Sequence, residues 1–452
     1  MASRSFYACM LAVLSAGAIA AGGDRIKGQP EVTFSEKIAP IFYQHCVVCH
    51  HSNDIAPMSL VTYRDARPWA KSIRDAVLSG KMPPWFADPH YGEFLNDARL
   101  TAEQVESIRD WVDQGAKEGD PSRLPPTPQF NTGWHIQPDI VITLPADEVA
   151  PANGPDEYHY IRVPTNFKED TWVQAAEVLP GNRRIVHHAT VSVVRHHEET
   201  PESTSTPAPP DKYRYRTGKL MHIRPELPVA DDGCALPGGG NWPDDTVDAG
   251  IVPAIFLPGH LPEVRPEGTA LRIPAGAVLQ FQIHYSNHTG KEATDRTSIG
   301  FVLAKQPVRR EVRQYEIWNN MFAIPPGGAN HRVTSCFTLP RDIDAISYTA
   351  HMHYRGKSMT TEAFYPDGHH EILFSVPHYS FLWQTTYMLK RIHFLPKGTR
   401  LVTTAHFDNS PNNPLNPEPT RLVRWGEPSD EEMMGFWLSF VEPEPGADAR
   451  AH

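Results

Sequence analysis

Hydrophobic positions along this chain follow two different periods. Between residues 30 and 125 they recur every three or four residues, the stripe of an amphipathic helix. Thr33-Phe34-Ser35-Glu36 reads as a capping box ahead of a helix that runs up to Cys46. A second helix is predicted over Asp65 to Ser79. A third opens at the Thr101-Ala102-Glu103-Gln104 box and places Val105, Ile108, Trp111 and Val112 on one face. Leu124-Pro125-Pro126-Thr127-Pro128 ends this texture, and residues 126–134 read as a linker.

From about Trp134 the period drops to two. Short runs of alternating apolar and polar residues are separated by Pro, Gly, Asn and Asp turns, the pattern of all-β sandwiches. In Ala277 to Tyr285, the residues Leu279, Phe281, Ile283 and Tyr285 share one face, with Gln280, Gln282 and His284 on the other. In Ile346 to Tyr354 the polar face carries Ser347, Thr349, His351 and His353, so His351 and His353 can reach one metal together. Near the end, Met434, Phe436, Leu438 and Phe440 form an apolar face, and Met433 lies opposite with Gly435 and Trp437. His187 and His188 are neighbours, which on a regular strand point to opposite faces. Both can serve one metal only at a bulge or a strand end. Trp383, Tyr387 and Trp437 read as core packing, with an aromatic pocket as the alternative.

At 452 residues the chain exceeds one ordinary core, so two or three domains are expected. Its 44 prolines fit many turns and short strands better than long helices. A net charge of −11 argues against a nucleic-acid partner, because no basic face is available for phosphates. Residues 1–20 read as a signal peptide, with Arg4, an apolar run from Phe6 to Ala16, and the small-residue site Ala18-Ile19-Ala20. No later run is long enough to span a bilayer, so a periplasmic or secreted protein is expected. Beyond the leader four cysteines remain. Two belong to the motif below, and Cys234 and Cys336 can form a disulfide in an oxidising compartment.

Cys46-Val47-Val48-Cys49-His50 is a C-x-x-C-H run, read as an attachment site for haem c. Cys46 and Cys49 would bond the porphyrin, and His50 would ligate iron. Met82, in the turn Lys81-Met82-Pro83-Pro84-Trp85, is the candidate for the opposite axial position, with Met58, His45 and His51 as alternatives. A His/Met pair suits electron transfer. Zinc would need two more ligands of the usual spacing, and no second C-x-x-C exists. Residues 30–125 resemble the all-α cytochrome c modules fused to larger bacterial enzymes.

The remaining candidates are His187, His188, His284, His351, His353 and Met433. Imidazole combined with a thioether favours copper. Their order resembles the copper type II, ascorbate-dependent monooxygenases. The resemblance covers about residues 135–442, on Val186-His187-His188, on Leu279 to Tyr285, on His351-Met352-His353-Tyr354-Arg355-Gly356-Lys357 and on Glu432-Met433. It implies a multidomain chain in which the cytochrome c module precedes two antiparallel, jelly-roll-like β-sandwich domains, over residues 135–310 and 311–445. It further implies two copper ions. His187, His188 and His284 would hold an electron-transfer copper, and His351, His353 and Met433 the oxygen-binding copper. O2 would there hydroxylate a C–H bond of a small-molecule substrate. The electrons would come from ascorbate or a periplasmic donor protein, with the haem module as donor or relay.

Three positions depart from the peptide-amidating members. Thr349 stands where they have Arg, and Gly435 and Trp437 where they have Asn and Tyr, which argues against a peptide C-terminus as substrate. Cys336 precedes the H-x-H pair as a Cys does in animal members, and here Cys234 is the partner that remains. The alternative reading is a non-enzymatic copper- and haem-binding protein for electron transfer or copper storage.

Overall fold

The computed structural model describes residues 31–444, apart from 53–55, 57, 130–132, 153–156, 195–228, 236–250, 258–259, 288 and 427–428. The leader expected over residues 1–20 lies outside the described residues. Among the described residues no helix is long and apolar enough to cross a membrane.

The N-terminal part is helical: α1 (Ala39–His45), α2 (Tyr63–Ala66), α3 (Ala70–Leu78) and α4 (Ala102–Asp113). Phe34, Phe42, Ile108 and Trp111 fill its core. The box at α4 forms as expected. Gln104 N donates to Thr101 Oγ1 (3.2 Å), and Thr101 N donates to Gln104 Oε1 (2.8 Å). The Thr33 box does not form. Phe34 N and Ser35 N donate instead to the carbonyls of Lys117 and Glu118, both at 2.9 Å, so tertiary partners take the donors a cap would have served. The helix expected over Asp65 to Ser79 is interrupted by a 3-10 turn at Arg67–Trp69, where Pro68 has no N–H to give.

The rest of the chain is mostly β-sheet with few helices, as the two-residue period predicts for β-sandwiches. The strands that position the site are, in chain order, β1 (Glu157–Pro164), β2 (Thr171–Leu179), β3 (Val186–Val194), β4 (Thr269–Ile273), β5 (Val278–Tyr285), β6 (Arg310–Trp318), β7 (Ile343–Met352), β8 (Thr386–Leu395) and β9 (Met434–Val441). One sheet runs β1-β5-β3. A second contains, in order, β2-β4-β6-β9-β7-β8. Two hydrophobic clusters lie under them. Leu279, Phe281 and Ile283 belong to the first, and Tyr348, Ala350, Met352, Met434, Phe436, Leu438 and Phe440 to the second, as the alternation predicts. Ile346 departs from its predicted face. A bulge between Ala345 and Ser347 turns it into a small cluster with Val312 and Val441.

The expectation of purely antiparallel pairing fails at one strand pair and at two isolated bridges, Asp232 with Thr334 and Trp425 with Glu432. β4 and β6 pair in parallel, Thr269 against Arg310, so one sheet passes from the first β unit into the second. The chain leaves β4, crosses through β5 in the other sheet, re-enters this sheet as the strand Ser298–Leu303 beside β2, and only then reaches β6, the long connection a parallel pair requires. Cys234 and Cys336 form a disulfide with Cα atoms 4.9 Å apart.

Residues 85–98 do not stay with the helices. Trp85, Ala87 and Phe94 enter the core of the second β unit. β8 loses its register with β7 between Met388 and His393. Its freed groups meet this segment: Leu95 N donates to Met388 O and Lys390 N to Glu93 O, both at 2.8 Å. Asn96 adds a side-chain clasp, giving its amide to Thr386 O (2.7 Å) and accepting from Met388 N (3.1 Å).

Candidate metal centres

β3 and β5 are antiparallel neighbours with His188 opposite His284. The register slips between Val186 and His188. This is the bulge that adjacent histidines need in order to face one point. One ring nitrogen from each of His187, His188 and His284 lies within 4.8 Å of the other two. His188 Nδ1 is 3.4 Å from His187 Nδ1 and 3.2 Å from His284 Nδ1. Burial, reinforced by the neighbouring imidazoles, holds His188 well below the usual histidine range. Its ring is therefore neutral at neutral pH, the form that binds metal. Three facing nitrogen atoms gain from a cation placed among them. Tyr158 of β1 stacks on His284 at 4.4 Å and fixes the ring plane.

His351 and His353 lie at the end of β7, with ring centroids 5.2 Å apart. His351 Nδ1 donates to Gln384 Oε1 at 2.6 Å, and His353 Nδ1 approaches Glu431 O at 3.3 Å. Each bond leaves Nε2 as the open nitrogen, the usual way an outer partner sets a ligand's tautomer. Burial pushes His351 down to about 4. β9 begins at Met434, which pairs with Met352. Met433 stands one step before it, half-buried against the second core. Glu432 is fully buried, and its carboxylate accepts from the backbone N–H of His353 (2.8 Å) and Arg355 (2.6 Å), which fixes the turn that follows the H-x-H pair.

One phenyl ring touches both groups. Phe381 stacks on His187 at 5.7 Å and meets His353 edge-on at 5.9 Å. Trp318 and Trp437 flank His351 at 6.3 Å and 5.1 Å. The alternation along the chain gives no sign of Gln384, Phe381 or Trp318 as parts of the site. Gln384 and Phe381 lie in the turn before β8, where no period exists. Tyr387 is core, as expected, and Trp383 is half-buried in the same turn.

In the helical part, Cys46 and Cys49 form no disulfide, and burial pushes the Cys46 thiol up to about 12. His50 Nδ1 sits 3.2 Å from Met58 O, an arrangement that leaves Nε2 as the ligating nitrogen. Of the alternatives, His45 Nε2 contacts Gln104 (3.2 Å), His51 Nδ1 contacts Val47 O (2.8 Å), and Met58 is half-buried beside the helical core. Met82 is half-buried after α3, its backbone N–H bonded to Ala76 O at 3.2 Å.

Residues 317–445 match the family model described as copper type II ascorbate-dependent monooxygenase, C-terminal domain. This match supports a copper monooxygenase. It contains His351, His353 and Met433. The cluster of His187, His188 and His284 lies before it and stands on its geometry. No curated protein matches the chain. Two solved structures of PNGF-II overlap 68% and 67% of this chain at 12% and 11% identity, with TM-scores of 0.30 and 0.26. The overlap covers 66% and 64% of those chains, just under two thirds, and a likeness this loose carries no inference.

Proposed function

We propose that this chain is an exported copper monooxygenase that hydroxylates a C–H bond of a small molecule. The balance is one substrate C–H, one O2, two electrons and two protons in, with one C–OH and one water out. The observation that carries this reading is the convergence of three imidazoles, from His187, His188 and His284, onto one point at a strand bulge.

In this reading His187, His188 and His284 hold one copper. His351 and His353, through Nε2, and Met433, through its thioether, hold the other. Bound copper supplies one-electron and oxygen chemistry. The protein's part is to keep His188 and His351 neutral by burial and to aim the rings. Gln384 and the Glu431 carbonyl hold each Nδ1 side away from the metal. Phe381 contacts one histidine of each cluster. Cys46, Cys49 and His50, with Met82 as the candidate second iron ligand, would hold a covalent haem c. Cys46 and Cys49 are not bridged to each other and His50 is held through Nδ1 by the Met58 carbonyl, which suits such a group. The haem would pass electrons from a periplasmic donor, or ascorbate would serve in its place.

The test is metal and haem content per chain, with oxygen uptake driven by a reductant. Two coppers and one haem are expected, with one copper weakened in Met433→Ala. Full copper loading without reductant-dependent oxygen uptake on any substrate panel would instead favour a storage or electron-transfer protein.

A further inference from the structure

β8 carries a wide bulge. His393 pairs with Ala345 and Met388 with Ser347, so Leu389, Lys390, Arg391 and Ile392 have no partner on β7. A cavity of about 820 Å³ opens there, between β8 and the strand His370–Val376. Gly92 and Glu93, from the segment that crosses over from the helical part, line a third side. The cavity is remote from the histidine pair of β7. Ala345, opposite His393, lies six residues before His351, a strand length of about 20 Å. Leu389, Ile392, Phe394 and Pro396 make much of the wall apolar. Two carboxylates on the wall are already engaged. Glu371 Oε1 accepts from Tyr365 OH at 2.5 Å and stands 3.2 Å from His393 Nε2. Asp367 Oδ1 lies 2.5 Å from His369 Nδ1. The exposed cations Arg391 and Lys397 line the same cavity and form no ion pair among the described residues, against one unengaged carboxylate, Glu93.

We propose that this cavity is a second small-molecule site, distinct from the metal centres, and that it takes an organic anion with an apolar body, in the simplest case a carboxylate. The site does not depend on the monooxygenase reading. Its volume and its mixture of apolar wall with a few polar groups are those of small-molecule pockets. The apolar wall removes the ligand's body from water, and Arg391 and Lys397 supply charged donors for its head group. A cationic head would meet two like charges there. Binding has a structural consequence. Glu93 O accepts from Lys390 N at 2.8 Å, so a ligand held between Glu93 and Arg391 fastens the crossing segment to β8.

The experiment is calorimetric titration of the full, copper-loaded chain with 4-phenylbutyrate, 4-phenylbutanol and 4-phenylbutylammonium, which share a body and differ in head-group charge. Saturable binding of 4-phenylbutyrate is expected, about tenfold or more tighter than that of the ammonium probe and weaker at high salt. Replacing both cations, Arg391→Gln with Lys397→Gln, should weaken 4-phenylbutyrate about tenfold and leave 4-phenylbutanol within about twofold. Amide exchange at Lys390 should slow when 4-phenylbutyrate is bound. His351→Ala should bind it as the wild type does. Thermal melting confirms that the variants fold. No saturable 4-phenylbutyrate binding, equal binding in the folded double variant, or loss of binding in folded His351→Ala would overturn the proposal. Copper content measured on the same samples separates the two readings. Two bound coppers without 4-phenylbutyrate binding remove this site alone. Binding of 4-phenylbutyrate by a chain that takes up no copper keeps the site and removes the monooxygenase.

Discussion

Trp85, which follows the candidate haem loop, packs edge-on against Tyr387 of β8, with ring centroids 5.0 Å apart. A residue of the N-terminal region is thus part of the core beneath the His351 site. Trp85→Ala should cost about 3–5 kcal/mol, the usual price of emptying a buried indole position. The loss should appear in near-ultraviolet circular dichroism as unfolding of the second β unit. A change confined to the helical signal would show that the segment is only a tether.

Gln384 should act on copper without touching it. Gln384→Leu removes the acceptor for His351 Nδ1–H and leaves the ring free to turn. Copper affinity at that site should fall about 10- to 100-fold, read by competition with a Cu(I) chelator. The affinity of the other cluster should not move.

Cys234 and Cys336 are 102 residues apart in the chain. Cys336→Ser should lower stability by about 2–4 kcal/mol, measured by urea unfolding, and dithiothreitol should reproduce the loss in the wild type.

The Cys46 thiol, pushed by burial from 9.0 to about 12, should be almost fully protonated at pH 8 in haem-free protein. Because the thiolate is the reactive form, its alkylation by iodoacetamide should be about a thousandfold slower than in the unfolded chain. The sign for stability follows. A folded-state value above the unfolded one means that stability is full below about pH 9 and declines as pH rises toward 12. Peptide mapping after timed alkylation, and unfolding midpoints at pH 8 and pH 10.5, check both statements.

Much of the β architecture is legible in the chain because a period of two is a local property. The faces of β5, β7 and β9 follow from counting residues, and the choice of Met433 over Met434 is made by parity alone. The adjacency of His187 and His188 calls for a bulge or a strand end if both are to face one metal, and a bulge is there. What escapes this reading depends on which segments meet. The Thr33 box is locally sound, but Lys117 and Glu118 take its donors. Trp85 and Phe94 look like helical-module residues until the register of β8 breaks and opens a place for them. Gln384, Phe381 and Trp318 gain their importance from neighbours tens to hundreds of residues away, which no local pattern encodes.

The parallel join between β4 and β6 carries a mechanical meaning. Three backbone pairs, Arg310–Thr269, Glu311–Ala270 and Val312–Leu271, stitch the two β units into one plate. A hinge motion that pulled the clusters apart would have to shear that seam. The spacing between them is therefore a built dimension of the scaffold, as in a rigid frame, and it should be indifferent to solvent viscosity.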